Sequence, residues 1–187
     1  MTRIIAGTSG GRRLLVPSGA LTRPTSDRVR EALFSRLEHQ GWLDGTTVLD
    51  LFAGSGALGL EAASRGARSV VLVEQAPAAL RALRANVAGL DLAEVRAVPG
   101  SVQGFLDTTD SPLGPFDLVL ADPPYPEPEP RIARVVEALA DRWLSEDALV
   151  VVERSTRSPE PTWPTGLQRT DQRRYGETTL WFARTRP

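Results

Sequence analysis

From Thr47 onward the chain alternates short apolar runs with stretches whose apolar residues recur every three or four positions. An unbroken apolar run reads as a strand buried on both faces, and the longer spacing reads as an amphipathic helix. Strands are predicted over residues 47–52, 69–73, 95–98, 116–121 and 148–152. Helices are predicted over 57–65, from Pro77 onward with Leu80, Leu83 and Val87 on one face, and over 132–144. Gly66 supplies a left-handed stop for the first helix and Pro77 a start for the second. Such alternation predicts a parallel sheet covered by helices on both sides. The chain ends differently. Residues 167–175 and 178–184 flank Tyr175-Gly176-Glu177, which predicts an antiparallel hairpin. The expected fold is α/β, a doubly wound, mostly parallel, seven-stranded sheet closed by that C-terminal hairpin.

The first part of the chain does not follow this pattern. Residues 3–6 and 12–16 read as a short β-hairpin around Ser9-Gly10-Gly11. Ser26 is a candidate N-cap for a helix whose Val29, Leu33, Phe34 and Leu37 share one face. A hairpin this small needs a body to lean on. The predicted division is a basic arm over residues 1–24 and a catalytic domain over 25–187. The proline-rich stretch 123–130 is expected to be a loop.

Composition removes several chemistries. There is no Cys, and His39 is the one histidine, so disulfides are excluded, and with the usual zinc ligands missing no metal is expected. A hydrolase built on a Ser-His or Cys-His pair would have to rely on His39, at a predicted helix end. No apolar run approaches the ~20 residues needed to cross a bilayer, and the start lacks the apolar core of a secretory signal, so a cytoplasmic location is expected.

The net charge of −1 conceals an asymmetry. Residues 1–36 carry a balance of +5, residues 154–187 a balance of +4, and the middle a balance of −10. Every basic residue is Arg, which by itself reads as compositional bias. The distribution along the chain says more. A basic arm on an acidic body suits a polyanionic partner, because guanidinium forks pair with phosphates.

Gly54-x-Gly56-x-x-Gly59 follows a predicted strand and opens a predicted helix, and Glu74 ends the next strand. Glycines let the backbone approach a nucleotide-like ligand, and a carboxylate at the second strand tip accepts from ribose hydroxyls. The pattern alone leaves a nicotinamide dinucleotide and S-adenosylmethionine both open. Asp50 would repel a pyrophosphate but is compatible with a sulfonium, and the acidic body points the same way. Candidate cofactor contacts are Asp50, Phe52, Ala53, Gly54, Ser55, Gly56, Glu74, Gln75, Ser101, Val102 and Asp122. Ser101 and Val102 stand where an adenine ring would lie, with Ser101 in place of a stronger acidic acceptor.

Asp122-Pro123-Pro124-Tyr125 closes the fourth predicted strand. Two prolines force the chain out at the sheet's carboxyl end, where ligands bind in open α/β sheets. The Asp122 carboxylate and Pro123 carbonyl can hold both hydrogens of a planar –NH2, and Tyr125 offers a ring for base stacking. Together with Pro124 these are the candidate catalytic residues, and they point to methylation of an exocyclic amine. A DNA adenine or cytosine amine, and a small NAD(P)-dependent oxidoreductase, are the alternatives.

Asp50-Leu51-Phe52-Ala53-Gly54-Ser55-Gly56 with Asp122-Pro123-Pro124-Tyr125 resembles the class I methyltransferases that modify exocyclic amines. Arg3-Ile4-Ile5-Ala6-Gly7, Gly11-Arg12-Arg13-Leu14, the block from Arg23-Pro24-Thr25 to Phe34, and Arg174-Tyr175-Gly176 narrow this further. They resemble the RsmD family, bacterial 16S rRNA guanine-N2 methyltransferases. That resemblance implies S-adenosylmethionine as donor, with S-adenosylhomocysteine as product, and 16S rRNA within the small ribosomal subunit as partner. It also implies RNA contacts at Arg3, Arg12, Arg13, Arg23, Thr25, Arg28 and Arg174.

Overall fold

The computed structural model describes residues 2–17, 27–108, 112–124 and 127–186. Along the chain lie α1 (Asp27–His39), β1 (Thr47–Leu51), α2 (Ala57–Ser64), β2 (Ser69–Glu74), α3 (Pro77–Leu90) and β3 (Val95–Pro99). They are followed by α4 (Val102–Leu106), β4 (Phe116–Ala121), α5 (Glu129–Arg142), β5 (Leu144–Ser155), β6 (Leu167–Tyr175) and β7 (Thr178–Thr185). The strands form one seven-stranded sheet in the order β3-β2-β1-β4-β5-β7-β6. The first five run parallel, and β7 pairs antiparallel with both β5 and β6. The predicted doubly wound sheet with its reversed C-terminal hairpin is the fold observed.

Side-chain alternation along each strand divides the core into two layers. Val48, Val70, Leu72, Leu118, Leu120 and Val151 pack with α1, α2 and α3 on one face. Leu49, Leu51, Val71, Val73, Val119 and Val150 pack with α4 and α5 on the other. Both faces are covered, so the strands show no polar alternation. On α1 the predicted face of Val29, Leu33, Phe34 and Leu37 is buried, and Arg30 is buried with it. Arg30 Nη2 donates to the Arg3 carbonyl at 2.7 Å and to Asp27 at 2.9 Å, while its buried Nε has no hydrogen-bond partner among the described residues. Ser26 lies outside the described residues.

Several boundaries and one element differ from the sequence reading, among them the helix end predicted at 144, since α5 stops at Arg142 and Leu144 opens β5. The predicted loop 123–130 gives way to α5 at Glu129, because Pro130 stands in the first turn, where its missing N–H costs nothing. β5 runs well past 148–152, because its polar end, Glu153–Ser155, finds ladder partners in β7. The short helix α4 was not predicted. Its Val102, Phe105 and Leu106 are buried beside α5, and the Ser101 hydroxyl caps it by accepting the Gly104 N–H at 3.1 Å.

The N-terminal arm is a clipped hairpin. Arg3 and Arg13 form an antiparallel bridge, with the Ile4 N–H on the Arg12 carbonyl at 2.9 Å and the Leu14 N–H on the Thr2 carbonyl at 2.9 Å. It does not extend into full strands because the body captures its backbone. Buried Glu61 on α2 accepts the N–H groups of Ile5 at 2.6 Å and Ala6 at 3.0 Å. The Ser64 hydroxyl donates to the Ala6 carbonyl at 2.6 Å and accepts from the Ser9 N–H at 2.9 Å. Ile4 and Leu14 enter the layer that contains α1.

Candidate active site

Parallel pairing brings the tips of β1 and β4 together. Leu51 is in register with Ala121, so Phe52 and Asp122 leave the sheet side by side at its carboxyl end. Leu51 is also in register with Val73, which brings Glu74 to the same rim. Phe52 turns the chain with φ 62°, a conformation rare outside glycine and costly for an aromatic residue. Gly54 follows with φ 58°, and a side chain there would meet nothing within 4 Å. The loop therefore presents bare backbone to open space. Gly56 and Gly59 serve packing. A Cβ at Gly56 would lie 2.5 Å from Leu83 Cδ1, and one at Gly59 would lie 2.4 Å from Leu72 Cδ2.

Carboxylates organise the loop. Glu74 accepts the Gly54 N–H through Oε2 at 2.7 Å and the Ala76 N–H through Oε1 at 2.6 Å. Each oxygen retains a lone pair for a ligand hydroxyl. Asp50 is buried and accepts the Gly59 N–H at 2.8 Å. Burial pushes its carboxyl up to about 8, and the charges of Asp122 and Glu74 push it the same way, against the Gly59 hydrogen bond. From its residue type alone Asp50 reads as a negative charge. In the folded protein burial instead favours its protonated form at neutral pH. That three acids feel one another across the tips of β1, β2 and β4 describes a site suited to a cation.

The other candidate contacts fall around this rim. Ala53 and Ser55 are half-buried within the loop, Gln75 is exposed beyond Glu74, and Val102 is buried as the first residue of α4. Pro123 is buried and Pro124 exposed, and Tyr125 lies outside the described residues. Among the candidate RNA contacts, Arg23 and Thr25 also lie outside them. Arg3, Arg12, Arg13 and Arg28 are exposed. Arg12 Nη2 donates to the Gly89 carbonyl at 2.5 Å, and Arg3 approaches Asp27 at 3.8 Å. Arg174 is exposed near the end of β6 that pairs through Thr179 of β7 with Arg154 of β5. It therefore stands at the carboxyl rim, apart from the arm.

Two polar residues missed in the sequence hold the site's surroundings. Buried Arg154 donates Nη2 to the Glu127 carbonyl at 2.9 Å and pairs with the Glu129 carboxylate, fixing the chain as it leaves the Asp-Pro-Pro-Tyr corner. Buried Asn86 on α3 donates to the carbonyls of Ser55 and Leu15, each at 2.9 Å, and accepts the Leu15 N–H at 2.8 Å. Asn86 was legible only as a polar position within the apolar stripe of α3. Among the described residues no group of three or more His, Cys, Asp or Glu could hold a metal ion. Among them also, no helix is long and apolar enough to cross a membrane.

Sheet order, reversed hairpin and glycine loop are those of a class I methyltransferase. A putative methyltransferase from Escherichia coli superposes with a TM-score of 0.86 at 33% identity, over 100% of this chain and 98% of that one. The family model described as conserved hypothetical protein 95 matches residues 2–184. The chain belongs to that family, the RsmD family. It is 39% identical to ribosomal RNA small subunit methyltransferase D of Escherichia coli, over 87% of this chain and 79% of that protein. It is 32% identical to putative rRNA methyltransferase YlbH of Bacillus subtilis, over 94% and 95% respectively.

Proposed function

We propose that this protein transfers the methyl group of S-adenosylmethionine to the exocyclic N2 amine of a guanine in 16S rRNA, within the small ribosomal subunit. The observation that carries the reading is the adjacency of the β1 and β4 tips, which sets bare glycine backbone next to an Asp-Pro-Pro corner. The names of the relatives supply the RNA. The cytoplasm, where ribosomal subunits are built, is the corresponding location.

The residues present fit the donor. Gly54 leaves room for a ligand against the backbone, Glu74 keeps acceptors free for ribose hydroxyls, and the acidic cluster favours a sulfonium. When bound, S-adenosylmethionine supplies an electrophilic methyl group. The chain's own residues do the rest. Asp122 and the Pro123 carbonyl accept the two amine hydrogens and aim the nitrogen lone pair along the line of transfer. Tyr125 stacks on the base, worth ~1–3 kcal/mol. Orientation and electrostatics carry the rate enhancement, and Asp122 stabilises the positive charge that develops on the nitrogen and accepts the proton that the methylated amine then sheds. The arm arginines and Arg174 hold phosphates on either side of the site.

The test is methyl transfer from labelled S-adenosylmethionine to small subunits from cells lacking this gene, followed by mass mapping of the rRNA. One methylated guanine is expected. Label in DNA alone, or in no nucleic acid, would overturn the reading, as would tight binding of NAD in place of the donor.

A further inference from the structure

Among the described residues the exposed large hydrophobics are Leu15 and Val16, with relative exposures of 60% and 48%. A single exposed aliphatic side chain needs no explanation. This pair differs in how it is held. Leu14 beside it is buried in the core, so the chain is anchored immediately before the pair. The backbone of Leu15 is then clamped at both its N–H and its carbonyl by one buried side chain, Asn86, at 2.8 and 2.9 Å. The same Asn86 amide donates to the Ser55 carbonyl at 2.9 Å. One nitrogen atom thus spans the gap between the arm and the glycine loop. An apolar pair is presented to solvent on fixed backbone, one side chain away from the candidate donor loop.

The surroundings of the pair select its partner. Arg12 and Arg13 precede it and are exposed. Arg13 makes no hydrogen bond or ion pair among the described residues, and Arg3 across the bridge is 61% exposed. An apolar tip set among arginines fits a nucleic acid, whose phosphates meet the cations and whose stacked bases meet the aliphatic surface. Proteins that distort nucleic acids use Leu, Ile or Met in this way, as wedges between bases. A base in structured RNA must leave its stack to reach a pocket at a sheet's carboxyl end, which leaves a gap behind.

We infer that Leu15 and Val16 form a fixed apolar wedge that enters the RNA base stack beside the target nucleotide and fills the space it vacates. The inference rests on the methyl-transfer reading above and deepens it. The wedge acts on the step that brings the base into the site. It adds nothing to donor binding and little to docking, which the cations supply.

The experiment compares wild type with the double variant Leu15→Ala/Val16→Ala and with Leu15→Met, on small subunits lacking the modification. Both truncations are on the surface and leave the Asn86 clamp, which uses backbone atoms of Leu15. Donor affinity from calorimetry is expected to be unchanged, and subunit affinity to change by less than about three-fold, while the single-turnover rate at saturation falls about ten-fold or more. Leu15→Met is expected to keep the rate, because a thioether chain can still insert. A double-variant rate within about two-fold of wild type would overturn the wedge, as would a loss confined to subunit affinity with the saturated rate intact. If wild type itself fails to methylate the subunits, the methyl-transfer reading falls instead.

Discussion

Glu74 and Gly54, at the tips of neighbouring strands, are joined by a hydrogen bond of 2.7 Å from the glycine N–H to the carboxylate. The second oxygen of Glu74 holds the Ala76 N–H at 2.6 Å. One side chain therefore shapes both turns that border the candidate donor pocket. Glu74→Gln replaces one acceptor with an –NH2 group, which must face one of two backbone N–H donors. The expected outcome is roughly five-fold or more weaker donor binding by calorimetry, a cost of ~1–3 kcal/mol. Wild-type affinity in this variant would show that the carboxylate plays no part in binding.

Asp50 is expected to link binding of the proposed donor to proton release. Its carboxyl is raised to about 8, chiefly by burial, so at neutral pH the unliganded protein holds a proton there. A cationic donor nearby stabilises the ionised form and expels that proton. Between pH 6 and 8 the calorimetric heat should therefore depend on the ionisation enthalpy of the buffer. Stability has its own signature. The folded state keeps a proton that the unfolded chain has already lost, so stability falls as pH rises from the ordinary carboxylate range towards about 8. The slope is at most about 1.4 kcal/mol per pH unit. Asp50→Asn should flatten this dependence and remove the buffer effect. Identical pH profiles for the two proteins would refute the assignment.

Gly54 and Gly59 belong to one motif but should fail differently. A methyl at Gly59 would strike Leu72 at 2.4 Å and crowd the Asp50 carboxylate at 3.1 Å. Gly59→Ala is expected to lose ~1–3 kcal/mol of stability in denaturant titration. A methyl at Gly54 meets open space, though φ 58° disfavours a side chain. Gly54→Ala should stay folded within ~1–2 kcal/mol of wild type while losing donor affinity. Equal effects of the two variants on both measurements would remove the distinction between packing and ligand approach.

The sheet was readable because its central strands are almost wholly apolar, interrupted by Asp50 in β1 and Asp117 in β4, as burial on both faces demands, and because Gly66, Pro77 and Gly176 mark element ends. The loop tips were readable because Gly54 and the Asp-Pro-Pro corner carry their conformation in their residue types. Long-range polar contacts were not readable. Glu61 and Ser64 look like ordinary helix residues until the fold brings the arm's backbone against them. Arg154 stands just past the predicted strand 148–152 as an ordinary cation, yet it is buried on β5 and bonded to the Glu127 carbonyl. Arg30 was in principle visible, since it stands three positions before Leu33 on the apolar stripe of α1, but charge masks such a position until a carbonyl is found to pair it. The charge state of Asp50 also depends on tertiary burial, and so escaped a reading of sequence alone.

Asp122 connects chemistry with electrostatics, and substitution there should separate the two. Asp122→Ala removes the proposed amine acceptor, and single-turnover methyl transfer should fall by about three orders of magnitude or more while donor binding persists. Asp122→Asn tests the charge alone. The Asp122 carboxylate helps hold the proton on Asp50, so neutralising it lets the Asp50 carboxyl fall towards its ordinary range. At pH 7 less of Asp50 is then protonated before the donor arrives, and fewer protons are released on binding. The buffer dependence of the binding heat should shrink in Asp122→Asn, with the donor still bound. Full proton release in this variant would mean that Asp122 does not act on Asp50 across the strand tips. Retained methyl transfer in Asp122→Ala would remove the corner from the mechanism.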